Sequence, residues 1–524
     1  MFSPKIRGLK PYSANIAARW SITASASNLP IMFAPTRVAI RAEAGAITGS
    51  GHFARASAVA AELLLGGDTE VTLITNAEGA VLAPTFFPPN IRVLALTPEN
   101  DGPEEAMLAL ADTGWTADVI LLDQYGHVGE WEALAARTDK RLLVLDDLNE
   151  ATQADIIVRT HGETAWRRDS LVLGGPAYLP LSRHITDLGL KPSQSGGPPL
   201  RLNICFGGSD PTGETAKALQ AVTALTQLAV DVVVGPGTKI DPLLIERSEQ
   251  LPHVTIYQAP DPRKLAELMF EADLALGAGG VMLWERLSIG VPSLVICVAQ
   301  NQRPQVDTVV EAGAIQSLGE HTNVTPRIIA EAVTALAADE RERQAIVAAG
   351  HKLIDGRGAL RLASWIRALA LGVRDVTAED AANLLEWRTD DRNWRHNFET
   401  TGKPGFDAHV AWLAEKLADP DCIFRILTQG TVAVGVVRFD VNTEDSSAYL
   451  SIYLVPQWHG RKMGLPVYLA AERELRRSRS CVKKIVSRIH KANTASERLH
   501  RAAGFEISAS QTHPDWLDAW KALD

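Results

Sequence analysis

Short apolar runs, each closed by glycine, acidic or polar residues and followed by apolar positions at helical spacing, organise the first two-thirds of the chain. Arg37-Val38-Ala39-Ile40-Arg41, Val71-Thr72-Leu73-Ile74, Val93-Leu94-Ala95-Leu96, Val119-Ile120-Leu121-Leu122 and Leu142-Leu143-Val144-Leu145 read as buried parallel strands. After the first of them, Ala56, Val59, Ala60, Leu63 and Leu64 recur with the period of a helix. A stretch rich in Pro, Ser and Gly intervenes at residues 187–199, and the pattern restarts. Its second set of runs is Leu202-Asn203-Ile204-Cys205-Phe206, Val230-Asp231-Val232-Val233-Val234, Asp273-Leu274-Ala275-Leu276 and Leu294-Val295-Ile296. A helix through Leu360, Leu362, Trp365 and Ile366 closes this part. Residues 424–427, 432–439 and 448–454 then alternate or run apolar with turn residues between them, as antiparallel strands do, and residues 484–489 form a further strand. The expected fold class is α/β: doubly wound Rossmann-like halves over residues 32–186 and 200–372, joined by the linker, then an α+β domain over 373–524, with 1–31 as an extension.

Doubly wound sheets gather ligands beyond the carboxyl ends of their strands, so the residues just after each run are the candidates. Gly49-Ser50-Gly51-His52-Phe53-Ala54-Arg55 opens the first helix. The leading backbone amides there lack partners and the helix dipole is positive, which suits a phosphate or a developing oxyanion. An imidazole titrates near neutral pH, so His52 at that mouth suits a base taking a proton from water; the alternative is a capping or surface histidine after an ordinary βα turn. Asp123-Gln124-Tyr125 and Asp146-Asp147 follow other strands, and the acidic pair reads better as a helix cap. In the second half, Gly207-Gly208-Ser209-Asp210, Gly235-Pro236-Gly237 and Gly277-Ala278-Gly279-Gly280 follow strands. Glycines let a backbone approach a diphosphate, although each of these turns alone also serves as a tight bend. Glu285, one turn into the next helix, is placed to accept from ribose hydroxyls.

Composition narrows the classes. A chain of 524 residues with 46% hydrophobic and 22% charged residues is an ordinary globular protein of several domains. Its net charge of -10, without a dominating basic run, argues against nucleic acid as partner. Cys205, Cys297, Cys422 and Cys481 show no CxxC spacing, which indicates neither a disulfide framework nor a zinc site and fits a reducing cytoplasm. There is no HExxH or cysteine cluster for a metal, and no apolar stretch long enough to span a bilayer. Residues 1–31 hold Lys5, Arg7, Lys10 and Arg19, no acidic residue and many Ser and Ala, the composition of a transit peptide. The plainer reading, a disordered extension or a start misplaced upstream of Met32, is preferred.

The motifs also carry a resemblance. Arg41-Ala42-Glu43, the Gly49 to Arg55 loop, Asp123-Gln124-Tyr125, Asp146-Asp147, Gly207-Gly208-Ser209-Asp210-Pro211, Gly277-Ala278-Gly279-Gly280 with Trp284-Glu285-Arg286, and Asn301-Gln302 follow one another over residues 36–370. In that order they resemble the UDP-sugar hydrolases of pseudaminic acid biosynthesis. Those enzymes have GT-B architecture, two Rossmann-like halves with the active site in the cleft between them. The resemblance implies that water displaces UDP from a 2,4-diacetamido-2,4,6-trideoxy sugar, with His52 as general base, Tyr125 lining the sugar site, and no metal. It places Gly51, Arg55, Gly208, Ser209, Gly280, Glu285, Asn301 and Gln302 at the UDP and substrate positions. Glu43 stands where the family usually has Asp, and Gln124 where it has His.

In the last domain, Pro456-Gln457-Trp458-His459-Gly460-Arg461-Lys462-Met463-Gly464 before a helix, Asp407-Ala408-His409 with Trp412, and Asn493, Ala495, Leu499, His500 and Gly504-Phe505 resemble the GNAT acetyltransferases that act on amino sugars. The resemblance implies acetyl-CoA as co-substrate along Leu454 and Val455, its pyrophosphate on Gly460, Arg461, Lys462, Met463 and Gly464, and Asn493 among its contacts. His500 stands where a tyrosine often protonates the leaving thiolate, and Lys462 replaces a usual glycine. Together the two resemblances imply a bifunctional enzyme that acetylates the 4-amino group of a UDP-linked amino sugar and then hydrolyses the UDP bond. The alternatives are a GT-B glycosyltransferase with an accessory or degenerate GNAT domain, and a non-catalytic UDP-sugar-binding protein.

Overall fold

The computed structural model describes residues 34–45, 49–167, 170–191, 200–395 and 402–523. The expected extension over residues 1–31, and residues 192–199 of the expected linker, lie outside the described residues. The described residues form three sheets. The first has eight strands in the order β3-β2-β1-β4-β5-β6-β8-β7. They are β1 (Thr36–Ala42), β2 (Thr69–Thr75), β3 (Arg92–Ala95), β4 (Val119–Asp123), β5 (Arg141–Leu145), β6 (Ile156–Arg159), β7 (Ala165–Trp166) and β8 (Leu171–Gly174). All pairings are parallel except that of β7 with β8. The central strands β1 and β4 are covered on both faces, which explains their unbroken apolar runs. Residues 93–96, expected as a buried strand, fall instead on edge strand β3 and its end, with Val93 40% exposed. Helix α1 (Gly51–Leu64) turns Phe53, Ala56, Val59, Ala60 and Leu63 into the core.

The second sheet is parallel throughout and has six strands in the order β11-β10-β9-β12-β13-β14. They are β9 (Arg201–Cys205), β10 (Ala229–Val234), β11 (Val254–Gln258), β12 (Leu274–Ala278), β13 (Ser293–Cys297) and β14 (Gln316–Glu320). Helix α2 (Glu214–Ala221) follows β9, and α3 (Val281–Ile289) follows β12. In both sheets the chain first winds one way and then the other, so the order reverses between β1 and β4 and between β9 and β12. Those two crevices are the topological switch points where doubly wound sheets bind ligands.

Helix α4 (Gly358–Ala370) then returns to the first sheet and packs against α1. Its Arg367 Nη2 donates to the Leu63 carbonyl at 2.7 Å and pairs with Asp68 at 3.3 Å. Gly358 lets α4 lie against the Leu179 backbone, where any Cβ would overlap the carbonyl. The third sheet has seven strands in the order β15-β16-β17-β18-β19-β21-β20. They are β15 (Gly372–Asp375), β16 (Cys422–Gln429), β17 (Val432–Asn442), β18 (Ser447–Leu454), β19 (Lys484–His490), β20 (Glu506–Ala509) and β21 (Trp516–Ala522). Pairing is antiparallel except between β18 and β19. Helices α5 (Gly464–Ser478) and α6 (Thr494–Ala502) flank β19 in the chain.

Helix α5 packs on the other side of α4, so one apolar core runs from Val38 and Ile40 through Leu362, Ile366 and Leu369 to Val437 and Val467. Polar ties cross the same junction: Arg473 to Asp155 at 2.5 Å, and Gln429 Nε2 to the Ala34 carbonyl at 2.8 Å. The second sheet keeps a core of its own around Leu202, Ile204, Val232 and Leu276.

Candidate functional site

At the switch point of the first sheet, β1 leads through the glycine loop into α1, and β4 ends on Asp123. No side chain caps α1 at Ser50, so its leading amides stay open toward the cleft. His52, in the first turn, points its Nδ1 at Asp123 Oδ1 at 2.7 Å. Arg55, one turn on, donates from Nη2 and Nε to the same carboxylate at 2.6 and 3.2 Å. Its Nη1 also forks onto Asp147 at 2.8 and 2.9 Å. Arg55 Nη2 also lies 3.1 Å from His52 Nδ1, but the carboxylate at 2.7 Å is the shorter contact and only accepts, which assigns the neutral ring's proton to Nδ1 and leaves Nε2 as the acceptor. Burial alone would raise the Asp123 carboxyl, but Arg55 and His52 outweigh it and hold it below the usual range. Tyr125 stands 47% exposed with its ring edge-on to His52 at 4.6 Å.

The acidic pair divides its roles. Asp146 accepts from the amides of Glu150 and Ala151 and from Arg159, but it caps no helix as was expected, because β5 runs to β6 through a loop without one; Asp147 joins the His52 cluster through Arg55. Arg41 is fully buried and binds Glu43 at 2.5 Å, with Asp101 as a second partner that the sequence did not single out. Gln124 is buried, and its Oε1 has no partner among the described residues.

The second half presents its glycine loops to this cluster. Gly207 adopts φ +99°, and the Gly237 amide donates to the Gly208 carbonyl at 2.7 Å, which leaves Gly208 and Ser209 exposed at the rim. A Cβ on Gly208 would lie 4.0 Å from the Ser50 hydroxyl oxygen, so the loops of the two halves face each other across the cleft. The mouth of α2 is already filled, because Asp210 accepts from the amides of Glu214 and Thr215 at 3.0 and 2.7 Å. The mouth of α3, at Gly280, carries no side-chain cap. Gln302 lies against it, its Nε2 3.8 Å from a Cβ built on Gly280 and its Oε1 unpartnered among the described residues, with Asn301 exposed beside it. Gln305, which the sequence did not mark, ties Trp284 Nε1 at 3.0 Å to the Gly279 carbonyl.

Glu285 does not stand free in the cleft as a ribose acceptor; it is buried and takes the Ser182 amide. Burial pushes its carboxyl up to about 7, against the opposing pull of Arg286 and that amide.

In the third sheet, β18 and β19 pair only where Ser447 to Tyr449 meet Lys484 to Val486. Beyond that, β18 and β19 part, while β19 stays paired with β21 along its whole length. Along the gap, Val455 spends its amide on the Val434 carbonyl and is fully buried, which counts against the contact expected of it, whereas the Leu454 N–H faces the opposite edge. Gly460 to Gly464 lead into α5, whose mouth has no side-chain cap; Gly460 and Lys462 are exposed, Arg461 and Gly464 half-buried, and Met463 buried. A parted pair of strands above an open helix mouth fits an extended thioester with a pyrophosphate at one end.

Three further residues qualify the picture. Asn493 caps α6 by accepting from the Ser496 amide at 3.0 Å, which leaves its amide nitrogen and one Oδ1 lone pair for a ligand. His500 donates from Nδ1 to the Ser496 carbonyl at 2.8 Å; its buried Nε2 has no partner among the described residues, and burial lowers its affinity for a proton. A neutral ring with Nε2 bare accepts a proton, so the expected donation to the thiolate requires the imidazolium that burial disfavours. His459 was quoted in the loop motif without a role. Asn393 donates to the carbonyls of Trp387 and Leu454, so its Oδ1 takes the His459 Nε2–H at 3.0 Å.

Among the described residues no group of three or more His, Cys, Asp or Glu is placed to hold a metal ion, and no helix is long and apolar enough to cross a membrane.

Residues 370–506 match the family described as the acetyltransferase (GNAT) domain. An uncharacterized protein of Methanocaldococcus jannaschii is 22% identical over 509 residues, 92% of this chain and 99% of its own, so the similarity runs through all three sheets. The spore coat polysaccharide biosynthesis protein SpsG of Bacillus subtilis is 24% identical over 267 residues, 48% of this chain and 77% of its own. Among solved structures, MurG of Acinetobacter baumannii aligns with a TM-score of 0.47 and 16% identity, covering 64% of this chain and 99% of its own. Spermidine N-acetyltransferase from Vibrio cholerae, in complex with CoA and spermine, aligns with a TM-score of 0.27 and 14% identity over 29% of this chain and 95% of its own. The chain is thus an α/β protein with two doubly wound sheets followed by a mixed sheet, within which residues 370–506 match the acetyltransferase (GNAT) domain.

Proposed function

We propose that the chain performs two consecutive reactions on one nucleotide sugar. The third domain acetylates the 4-amino group of a UDP-linked amino sugar, and the cleft between the first two sheets then hydrolyses UDP from the resulting 2,4-diacetamido-2,4,6-trideoxyhexose, as in pseudaminic or related nonulosonic acid biosynthesis. The observation that supports the hydrolytic step is the Asp123-His52 pair set opposite the Gly208 loop. His52 Nε2 takes a proton from water while the water oxygen bonds to the anomeric carbon. The anomeric C–O bond breaks and its electron pair leaves with UDP, whose charge rests on the open amides at the mouths of α1 and α3. Tyr125, beside His52, borders the sugar.

Acetyl-CoA supplies the acyl group in the other step. There the Leu454 backbone lines the gap, the Gly460 to Gly464 loop faces the pyrophosphate, and His459, held by Asn393 and the Leu454 backbone, is the base for the proton of the amine.

The test is UDP release from the diacetamido sugar nucleotide by the parent and by His52→Ala, together with CoA release from acetyl-CoA and the UDP-amino sugar. Release of UDP by the parent that drops at least about a hundredfold in the variant supports the hydrolase. Similarity to the polysaccharide biosynthesis protein of Bacillus subtilis favours one second reading, transfer of the sugar to an acceptor other than water. UDP release that requires an added acceptor identifies that case.

A further inference from the structure

Three arginine side chains rank among the largest fully buried groups of the described residues: Arg41, Arg286 and Arg367. Arg41 has Glu43 and Asp101, and Arg367 has Asp68. Arg286 hydrogen-bonds no carboxylate among the described residues. It is 1% exposed, its Nη2 donates to the Ala278 carbonyl at 3.0 Å, and its Nε and Nη1 have no partner among the described residues. A buried cation without a hydrogen-bonded counter-charge is destabilising, so its retention calls for a charge supplied from elsewhere.

Its place says which charge. A Cβ built on Gly277 would sit 2.5 Å from Arg286 Nη1 and would overlap the Cys205 carbonyl, so Gly277 is glycine where the guanidinium lies against the ends of β9 and β12. From those two ends depart the Gly207-Gly208-Ser209 and Gly277-Ala278-Gly279-Gly280 loops, on either side of the switch point. The neighbouring ionisable groups offset it only in part. Burial pushes the Cys205 thiol up to about 11 and the Glu285 carboxyl up to about 7, while burial lowers Arg286 itself only to about 10, so it stays charged at neutral pH. Just above it the mouth of α3 is uncapped.

Building on the UDP-sugar reading of the cleft, we propose that Arg286 is the buried counter-charge of the nucleoside diphosphate, a positioning residue that acts from beneath the two glycine loops and selects the charged diphosphate over the nucleoside. The test is calorimetric binding of UDP and of uridine to the full-length parent, Arg286→Met and Arg286→Lys. Arg286→Met is expected to lose about ten- to a hundredfold in UDP affinity, the scale of a charge-assisted contact, with little change for uridine, and Arg286→Lys to recover part of the loss. A merely structural arginine would weaken both ligands together. Equal loss for UDP and uridine, or no loss for UDP, overturns the proposal while leaving the nucleotide reading intact, and a parent that binds no UDP overturns both. A second measurement needs no folded methionine variant: in the parent, the Arg286 Nε–H resonance, assigned with Arg286→Lys, is expected to shift on adding UDP and to stay put with uridine. A resonance indifferent to UDP overturns the proposal.

Discussion

His52 Nδ1 and Asp123 Oδ1 stand 2.7 Å apart although 71 residues separate them, and Arg55 clamps the same carboxylate at 2.6 Å. A carboxylate held by a guanidinium cannot swing away, so it fixes both the ring plane and the tautomer of His52. Asp123→Asn keeps the shape but lets the side chain present an N–H to the ring and select the wrong tautomer. The expected result is a fall of roughly 10²–10⁴ in kcat for UDP release with KM little changed. Combined with His52→Ala it is expected to add almost nothing, because the two residues act as a unit. An Asp123→Asn enzyme within tenfold of the parent kcat would rule out the orienting role.

Glu285 makes a prediction about pH. Its carboxyl rises from 4.5 to about 7 on burial, so the folded state favours the protonated form. A group raised on folding contributes fully below its unfolded value, and that contribution is lost as pH climbs through the folded value. The loss therefore spans about pH 4.5 to 7 and is on the order of 3 kcal/mol. Glu285→Gln keeps an acceptor for the Ser182 amide and does not titrate. Urea denaturation at pH 4.5 and pH 8 is expected to show the variant gaining stability relative to the parent as pH rises, and a constant difference would contradict the burial argument.

The strands that build the two crevices were legible because β1, β4, β9 and β12 are buried on both faces and read as unbroken apolar runs. Edge strands were not. β14, Gln316-Ser317-Leu318-Gly319-Glu320, is too polar to announce itself, and β3 announced itself as something more buried than it is. His52 was visible because a glycine loop opening a helix marks one place in the chain. Its partner depended on β1 and β4 lying side by side, a matter of topology that no local pattern carries. Arg286 sat in a quoted motif, but that no carboxylate among the described residues hydrogen-bonds it is a property of the folded interior. The course of α4 was hidden for a similar reason, since a helix that ends one unit and one that joins two differ only in what covers the second face.

That second face can be tested. Trp365 and Leu369 of α4 belong to the core that continues into α5, and each such side chain contributes about 1.5–3 kcal/mol when fully buried. A chain stopped after residue 371 leaves that face uncovered. It is expected to bind a hydrophobic dye, to self-associate on size exclusion, and to melt below the full chain. A monomeric fragment with an unchanged midpoint would mean that the third domain is only tethered.

Lys462 holds φ +59° at the position where the resemblance leads one to expect glycine, and its Nζ lies 3.6 Å from Glu62 Oε2. Glu62 is in the last turn of α1, ten residues after His52 and so about 15 Å farther along the helix axis. The loop expected to hold the CoA pyrophosphate is thus tied to the same helix that carries the proposed base of the other reaction. An anion on the uncapped amides of α5 competes with Glu62 for the lysine and is repelled by the carboxylate. Removing the negative charge by Glu62→Gln is therefore expected to tighten acetyl-CoA binding by about two- to fivefold, the scale of an exposed ion pair, and the gain is expected to shrink as salt is raised. Lys462→Gly relieves the left-handed backbone but removes the cation, so it is expected to weaken binding. Had the pair served only to join the domains, Glu62→Gln would lower the melting temperature and leave acetyl-CoA affinity where it was, which titration calorimetry at two salt concentrations distinguishes directly.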